Sequence, residues 1–331
     1  MRKLLLICVV TLFYCGTVSA RAQQFRDAEI DVIVMATTSV YFATVFDGAR
    51  AAAKVLGIQV ATLGPSSAMD AAQEVSIMEN AISAHPTGIV IAAANAQALA
   101  EPIAAATKAG IPVVVIDSNA NTDKYVTFLA TNNVTGGTKA ADELARCVKA
   151  RTGQAAGNVA YLTALPGVQS LNNRDKGFVE ELKKYPGLKI VDHRVGNNQA
   201  GRALSDAEDL LTRHPDLVGM FGDDDIQGDG IGEATSEHGL SREPCLVAFD
   251  TSDIEDKFVR DGIIDGLIVQ NPYMMGYAGV WYVLAAAHGV AFPHYIDSGV
   301  RVVTKANINT PQIAELLEPR KYKLTPFLGV P

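Results

Sequence analysis

Carboxylates, amides and hydroxyls stand directly after a series of short apolar runs in this sequence. Asp117 and Ser118 follow a run ending at Ile116, and Asp250 follows one ending at Phe249. Asp223, Asp224 and Asp225 come just past Phe221, and Gln270 closes a further run and precedes Asn271. Past the first run stand Ser39, Tyr41 and Phe42. Such groups form an array of hydrogen-bond donors and acceptors with two flat ring faces. A monosaccharide needs that combination, because its rim carries hydroxyls and its faces carry C–H groups. A buried hydroxyl left without a partner costs ~1–3 kcal/mol, so the residue types suit a sugar or polyol. Each also has a plainer use. Asp caps helices and forms turns, and Tyr41 and Phe42 stand where a first helix begins and could be core aromatics.

The chemistry of turnover has no matching pattern. No G-x-G-x-x-G follows the first apolar run, and neither G-x-x-x-x-G-K-[ST] nor G-x-S-x-G occurs. Asp117 and Asp250 could pair as acid and base of a glycosidase, an alternative that sequence spacing leaves open. The stretch from Asp223, D-D-D-I-Q-G-D-G, offers oxygen ligands but lacks the glutamate that closes a calcium loop. The six histidines show no ligand-like spacing with the cysteines. The expectation is a binding protein without enzymatic activity, cofactor or metal.

Elements that would hold these residues follow from periodicity. Short β-branched runs alternate with longer Ala-rich segments. The spacing predicts strands at Ile30–Met35, Gln59–Leu63, Gly88–Ala92 and Pro112–Ile116, separated by helices. The pattern then restarts with a helix from Val134 and strands at Asn158–Thr163, Lys189–His193, Leu217–Phe221, Leu246–Phe249 and Leu267–Gln270. A helix over Tyr277–His288, a strand at Val300–Val303 and a short helix over Pro311–Leu317 complete it. Repeated β-α units give largely parallel sheets with helices on both faces. Ligands of such sheets sit outside the carboxyl ends of the strands, where the polar residues above fall. The lone last helix and strand must join one unit or be shared by both, and periodicity does not choose.

The first residues read as an export signal: Arg2 and Lys3, an apolar run from Leu4 to Cys15, then Ala20 and Ala22 as an A-x-A pattern. Cleavage is expected after Ala22, with residues 1–22 as signal peptide and a periplasmic mature protein. The apolar run is too short to span a bilayer, which takes ~20 residues. Of the 331 residues, 309 then remain, a length for two domains. They hold 25 basic and 36 acidic side chains, a net charge of −11 with no basic block, which argues against nucleic acid as a partner. Cys147 and Cys245 survive cleavage. Two isolated buried thiols are expected, with a disulfide as the alternative in an oxidising compartment.

Tyr41-Phe42, Asp47-Gly48, Ile111-Pro112 through Ile116-Asp117, Asn132-Asn133 and Gly136-Gly137 occur in an order that is itself informative. Arg174 with Gly177-Phe178, His214-Pro215-Asp216, Phe221 with Asp224-Asp225, Phe249-Asp250 and Gln270 continue it. With these marks the chain resembles the periplasmic sugar-binding proteins of ABC importers, the class of the ribose- and galactose-binding proteins. The resemblance implies the type I periplasmic binding fold: α/β, with two Rossmann-like lobes joined by a three-segment hinge. It implies an N-terminal lobe of 28–131 plus 271–299 and a C-terminal lobe of 132–270 plus 300–331. It also implies a ligand cleft walled by Ser39, Tyr41, Phe42, Asp117, Ser118, Asn172, Arg174, Asn198, Asp224, Asp250 and Gln270. Asn172 and Ser118 stand where many members carry arginines, Asn198 replaces an aromatic, and Asp224 replaces Asn. Those departures point to a monosaccharide other than ribose, a polyol or an amino sugar. The implied partners are an ABC permease and a chemoreceptor, with a monomeric protein. An anchored sensor domain is the remaining alternative.

Overall fold

A computed structural model describes residues 27–238 and 244–321. The export segment and its cleavage site lie outside the described residues. The first half runs β1 (Glu29–Ile33), α1 (Val40–Leu56), β2 (Gln59–Leu63), α2 (Ala71–Ala84), β3 (Gly88–Ile91), α3 (Ala100–Lys108), β4 (Val113–Ile116) and β5 (Thr127–Ala130). The second runs α4 (Asn133–Thr152), β6 (Ala156–Thr163), α5 (Gln169–Leu182), β7 (Gly187–Val195), α6 (Ala200–Arg213), β8 (Leu217–Gly222), α7 (Asp225–His238), β9 (Cys245–Phe249), α8 (Asp253–Asp261) and β10 (Gly266–Val269). Then come α9 (Pro272–Ala287), β11 (Tyr295–Asp297), β12 (Arg301–Val303) and α10 (Pro311–Leu317). The central strands β3, β4, β9 and β10 are buried along their whole length, as strands covered on both faces must be.

Two six-stranded sheets result, in the orders β11-β5-β4-β3-β1-β2 and β12-β10-β9-β8-β6-β7. The first is parallel throughout, and β11 extends it beside β5. In the second only β12 is antiparallel, against β10. The chain therefore passes between the sheets after β5, after β10 and between β11 and β12. Two strands, β5 and β11, escape the periodicity reading. Thr127–Ala130 and Tyr295–Asp297 each carry a polar residue and so lack the unbroken apolar run that marks β3, β4 and β10.

Each sheet is backed by a helix pair that crosses at glycines. A Cβ on Gly48 of α1 would lie 2.0 Å from the Tyr273 carbonyl oxygen, and one on Gly276 of α9 1.9 Å from that of Val45. In the second lobe a Cβ on Gly137 of α4 would meet the Arg174 oxygen at 2.0 Å, and one on Gly177 of α5 the Val134 oxygen at 2.1 Å. Contacts that short admit only hydrogen, so the backbones touch and fix how α1 and α5 present their N-terminal halves. The first turn of α1 carries Tyr41 and Phe42, and the second turn of α5 carries Arg174.

Cys147 and Cys245 are not the isolated thiols expected from the sequence. They form a disulfide between α4 and the start of β9, with Cα atoms 6.0 Å apart. The pairing depends on how α4 lies across the second sheet, which local sequence does not encode. Among the described residues, the one group of converging metal-ligand atoms is these two sulfurs with Asp265, and the sulfurs are bonded to each other.

Glu74 on α2 is fully buried. One carboxyl oxygen accepts the Ala94 amide at 2.9 Å, and the other has no partner. Burial pushes its pKa from 4.5 to about 8, although the Ala94 bond pulls the other way. The folded state thus holds a proton that the unfolded chain releases, and stability falls as pH rises from 4.5 to about 8. Glu74→Gln is expected to lose less melting temperature than the parent between pH 5 and pH 8, both near the limits of that window. Thermal unfolding at the two values measures it, and parallel pH profiles would refute the assignment.

Candidate functional site

Asp117 follows β4 and Asp250 follows β9, and β4 and β9 are each the third strand of their sheet. The two carboxylates are thus topological counterparts, one per lobe. Both also have left-handed backbones, φ 58° and 72°. Few non-glycine residues adopt this conformation, Asp and Asn more readily than most, and such positions cluster at functional sites. Of five such residues among those described, Asp117, Asn198 and Asp250 face one cleft.

That cleft lies between the lobes and encloses about 560 Å³, its open mouth included. Ser39, Tyr41, Phe42 and Asp117 line it from the first lobe; Arg174, Asn198, Asp224 and Asp250 line it from the second. Three expected residues lie elsewhere. Asn172 is exposed on α5. Ser118 is fully buried, and its Oγ accepts the Ser170 amide of the other lobe at 3.2 Å. Gln270 stands behind the cleft, where it donates to Asp250 Oδ1 at 2.7 Å.

Arg174 organises the polar side, with its side chain 3 % exposed. Its guanidinium donates to Asp250 Oδ2 at 2.9 Å, to Asn133 Oδ1 at 2.9 Å and to the Asp223 carbonyl at 2.8 Å. It also lies 3.8 Å over the Phe249 ring. Gly136 leaves room for that ring, since a Cβ there would sit 2.6 Å from it. Both oxygens of Asp250 are therefore oriented. Across the cleft the Tyr41 hydroxyl donates to Asp117 Oδ1 at 2.8 Å. Burial raises the Asp117 carboxyl to about 6, while Arg174 and the Tyr41 bond restrain the rise. Burial likewise lifts Asp224 to about 7, against the Gln227 amide that caps onto it at 2.9 Å. Ser39 caps α1 through the Phe42 amide.

Sequence reasoning missed the apolar wall. Met35, Ala36 and Ala68 reach the cleft from the first lobe, and Leu165, Val168 and Leu171 from the second. The available signal was the segment L-P-G-V-Q-S-L after β6, which carries large apolar residues where a connection should be polar. Asp225, one of the three carboxylates that follow β8 but not one of the expected contacts, lines the cleft beside Asp224.

The arrangement can hold a hydroxylated guest by converging acceptors and donors and can exclude water as the lobes meet. It does not resemble a hydrolytic pair, because Asp250 is tied at both oxygens to Arg174 and Gln270.

Comparison with known proteins places this geometry among others. A family model described as a periplasmic binding protein domain matches residues 30–290. The ribose import binding protein of Escherichia coli (strain K12) is 27% identical over 278 residues, 84% of this chain and 90% of that protein. A carbohydrate transporter solute binding protein from Agrobacterium radiobacter, solved with D-arabinose, superposes with a TM-score of 0.86 at 40% identity, covering 88% of this chain and 99% of that one. An ABC transporter solute binding protein from Agrobacterium vitis with bound D-fucose gives 0.83 at 32% identity, covering 88% and 100%.

Proposed function

Because the chain belongs to the periplasmic binding protein family, we propose that its cleft captures a monosaccharide or polyol through Asp117 and Asp250. It is the solute-binding protein of an ABC importer and delivers its ligand to a membrane permease. It performs no chemistry on that ligand. Solved relatives hold D-arabinose and D-fucose, which makes neutral aldoses the first candidates. The observation that carries the reading is the matched pair of left-handed aspartates, one from each lobe, facing a common cleft. A ligand that bridges them stabilises the closed form by its greater affinity for it.

The finer assignments belong to the same proposal. The lobes are 28–131 plus 271–299 and 132–270 plus 300–331. Ser39, Tyr41, Phe42, Arg174, Asn198 and Asp224 complete the contact set, and Ser118, Asn172 and Gln270 act from outside it. Export ends with cleavage after Ala22, and the mature protein works as a monomer. A chemoreceptor reading the same closed form is a second partner.

Calorimetric titration of the mature protein against aldoses, ketoses, polyols and amino sugars tests the reading. One of them should bind tightly and emerge unchanged. Asp117→Ala should weaken that ligand about 10- to 100-fold, the worth of a hydrogen bond to a charged group, while the folded structure persists. Lack of binding across the panel, or conversion of the sugar, would defeat it.

A further inference from the structure

The connection from β6 to α5 joins two elements of the second lobe, yet its apolar residues pack with the first. Ala164, Val168 and Leu171 fall in the core cluster built on β1, β3, β4, α1 and α9, and in neither cluster of their own lobe. Leu165 packs against that same cluster. Ala164 is fully buried, Val168 is 2% exposed and Leu171 8%. The root of the loop stays with its own lobe. The Ala164 amide donates to Asp223 Oδ1 at 2.7 Å, and the Ala164 carbonyl accepts the Asn198 amide at 2.9 Å. The far end reaches the other lobe, where the Ser170 amide donates to Ser118 Oγ at 3.2 Å. Between them Gly167 has φ 94°, and a Cβ there would stand 3.3 Å from Asn95 Nδ2 of the first lobe.

Resting on the reading that the lobes close over a ligand, we infer that this loop is a clasp and that Val168 and Leu171 are its positioning residues. Their burial in the opposite lobe favours closure whatever the cleft holds. Rotation of the lobes apart draws the loop out of the first lobe's cluster and turns both side chains to water. Their return removes apolar area from water, and that gain is the same with or without a sugar. The Ser170 amide, buried by the same movement, finds the Ser118 hydroxyl and so avoids the cost of an unpaired donor. Apparent affinity scales with the fraction of protein in the binding-competent form. The clasp raises that fraction, and it does so apart from the hydrogen bonds that Asp117 and Asp250 offer a ligand.

Spin labels at Met69→Cys and Gln199→Cys, exposed positions on the two lobes, report lobe separation by double electron–electron resonance. The Cys147–Cys245 bridge leaves those two sulfurs unlabelled. In mature protein stripped of sugar by dialysis, the parent should show a short-distance population. Val168→Ser should lower the ratio of short to long distances at least about tenfold. Calorimetry with D-arabinose and D-fucose should show weaker binding by up to the same factor. Val168 itself lines the cleft, whereas Ser118 does not. Ser118→Ala deprives the Ser170 amide of its partner in the closed form alone, and should lower the same ratio about fivefold; it also carries the test if Val168→Ser does not fold. Overlapping distance distributions for the parent and both variants overturn the inference. Weaker sugar binding by Val168→Ser at an unchanged distribution also overturns it, since Val168 would then act only by touching the ligand. If neither sugar binds, the choice of aldose falls, and the sugar-free distances still decide the clasp.

Discussion

Asp250→Ala is expected to weaken ligand binding at least about 100-fold, since it removes a charged acceptor and disorders the groups that flank it. It should also lower the melting temperature, which sets it apart from Asp117→Ala. Asp250 is the counter-charge of Arg174, and both side chains are nearly sealed from solvent. Removing one member of a buried ion pair typically costs ~3–5 kcal/mol, because the other charge stays buried without compensation. Gln270 would lose the acceptor of its amide as well. Asp117 has no cation bound directly to it; its named partner is a neutral tyrosine. Its loss should therefore be felt in affinity more than in stability. The double variant Asp250→Ala/Arg174→Met separates the two roles. If the cost of Asp250→Ala is mainly an orphaned guanidinium, the double variant should recover melting temperature and leave affinity lost. Differential scanning calorimetry alongside titration reads both. Parental stability and affinity in Asp250→Ala would remove the ion pair from the centre of the site.

How far the sequence could anticipate this site depends on what each residue answers to. Asp117 and Asp250 were legible because each ends an apolar strand run, and the end of a parallel strand is where the site must be. Arg174 was legible only as a mark of resemblance. Its task is to brace Asp250 from beneath, and that depends on α5 lying against α4 through Gly137 and Gly177, a packing relation between segments. Asn172 sits two residues earlier on the same helix, so the turn that buries Arg174 carries Asn172 outward. Ser118 follows Asp117 directly, but the left-handed backbone at Asp117 redirects the chain, and Ser118 meets the other lobe instead of the cleft. The strands β5 and β11 are stabilised by each other and by β4, so their existence is a tertiary fact. The same holds for the apolar wall, whose halves are separated by nearly the whole first lobe in sequence.

The disulfide carries the other large expectation. Replacing Cys147 and Cys245 by serine should destabilise the protein by about 4–5 kcal/mol, the loop-closure entropy of a cross-link spanning ~100 residues. The sequence separation here is 98, and the span takes in β6, α5, β7, α6, β8 and α7, most of the second lobe. In thermal unfolding the loss should appear as a fall on the order of 10 °C, and a reducing agent added to the parent should reproduce it. Ligand affinity below the transition should change little. Cys245 opens β9 and Asp250 follows its end, so about five strand residues, ~17 Å at the usual rise, separate the cross-link from the cleft. A double-serine variant that melts like the parent would show that the unfolded chain gains nothing from release. One that loses affinity while fully folded would show that the bridge tensions β9 and so sets Asp250. The first outcome fits a bond formed incidentally after export, and the second would make it part of the site. The expected outcome, lost stability with intact affinity, makes the disulfide a staple on a lobe that reaches its full stability only in an oxidising compartment.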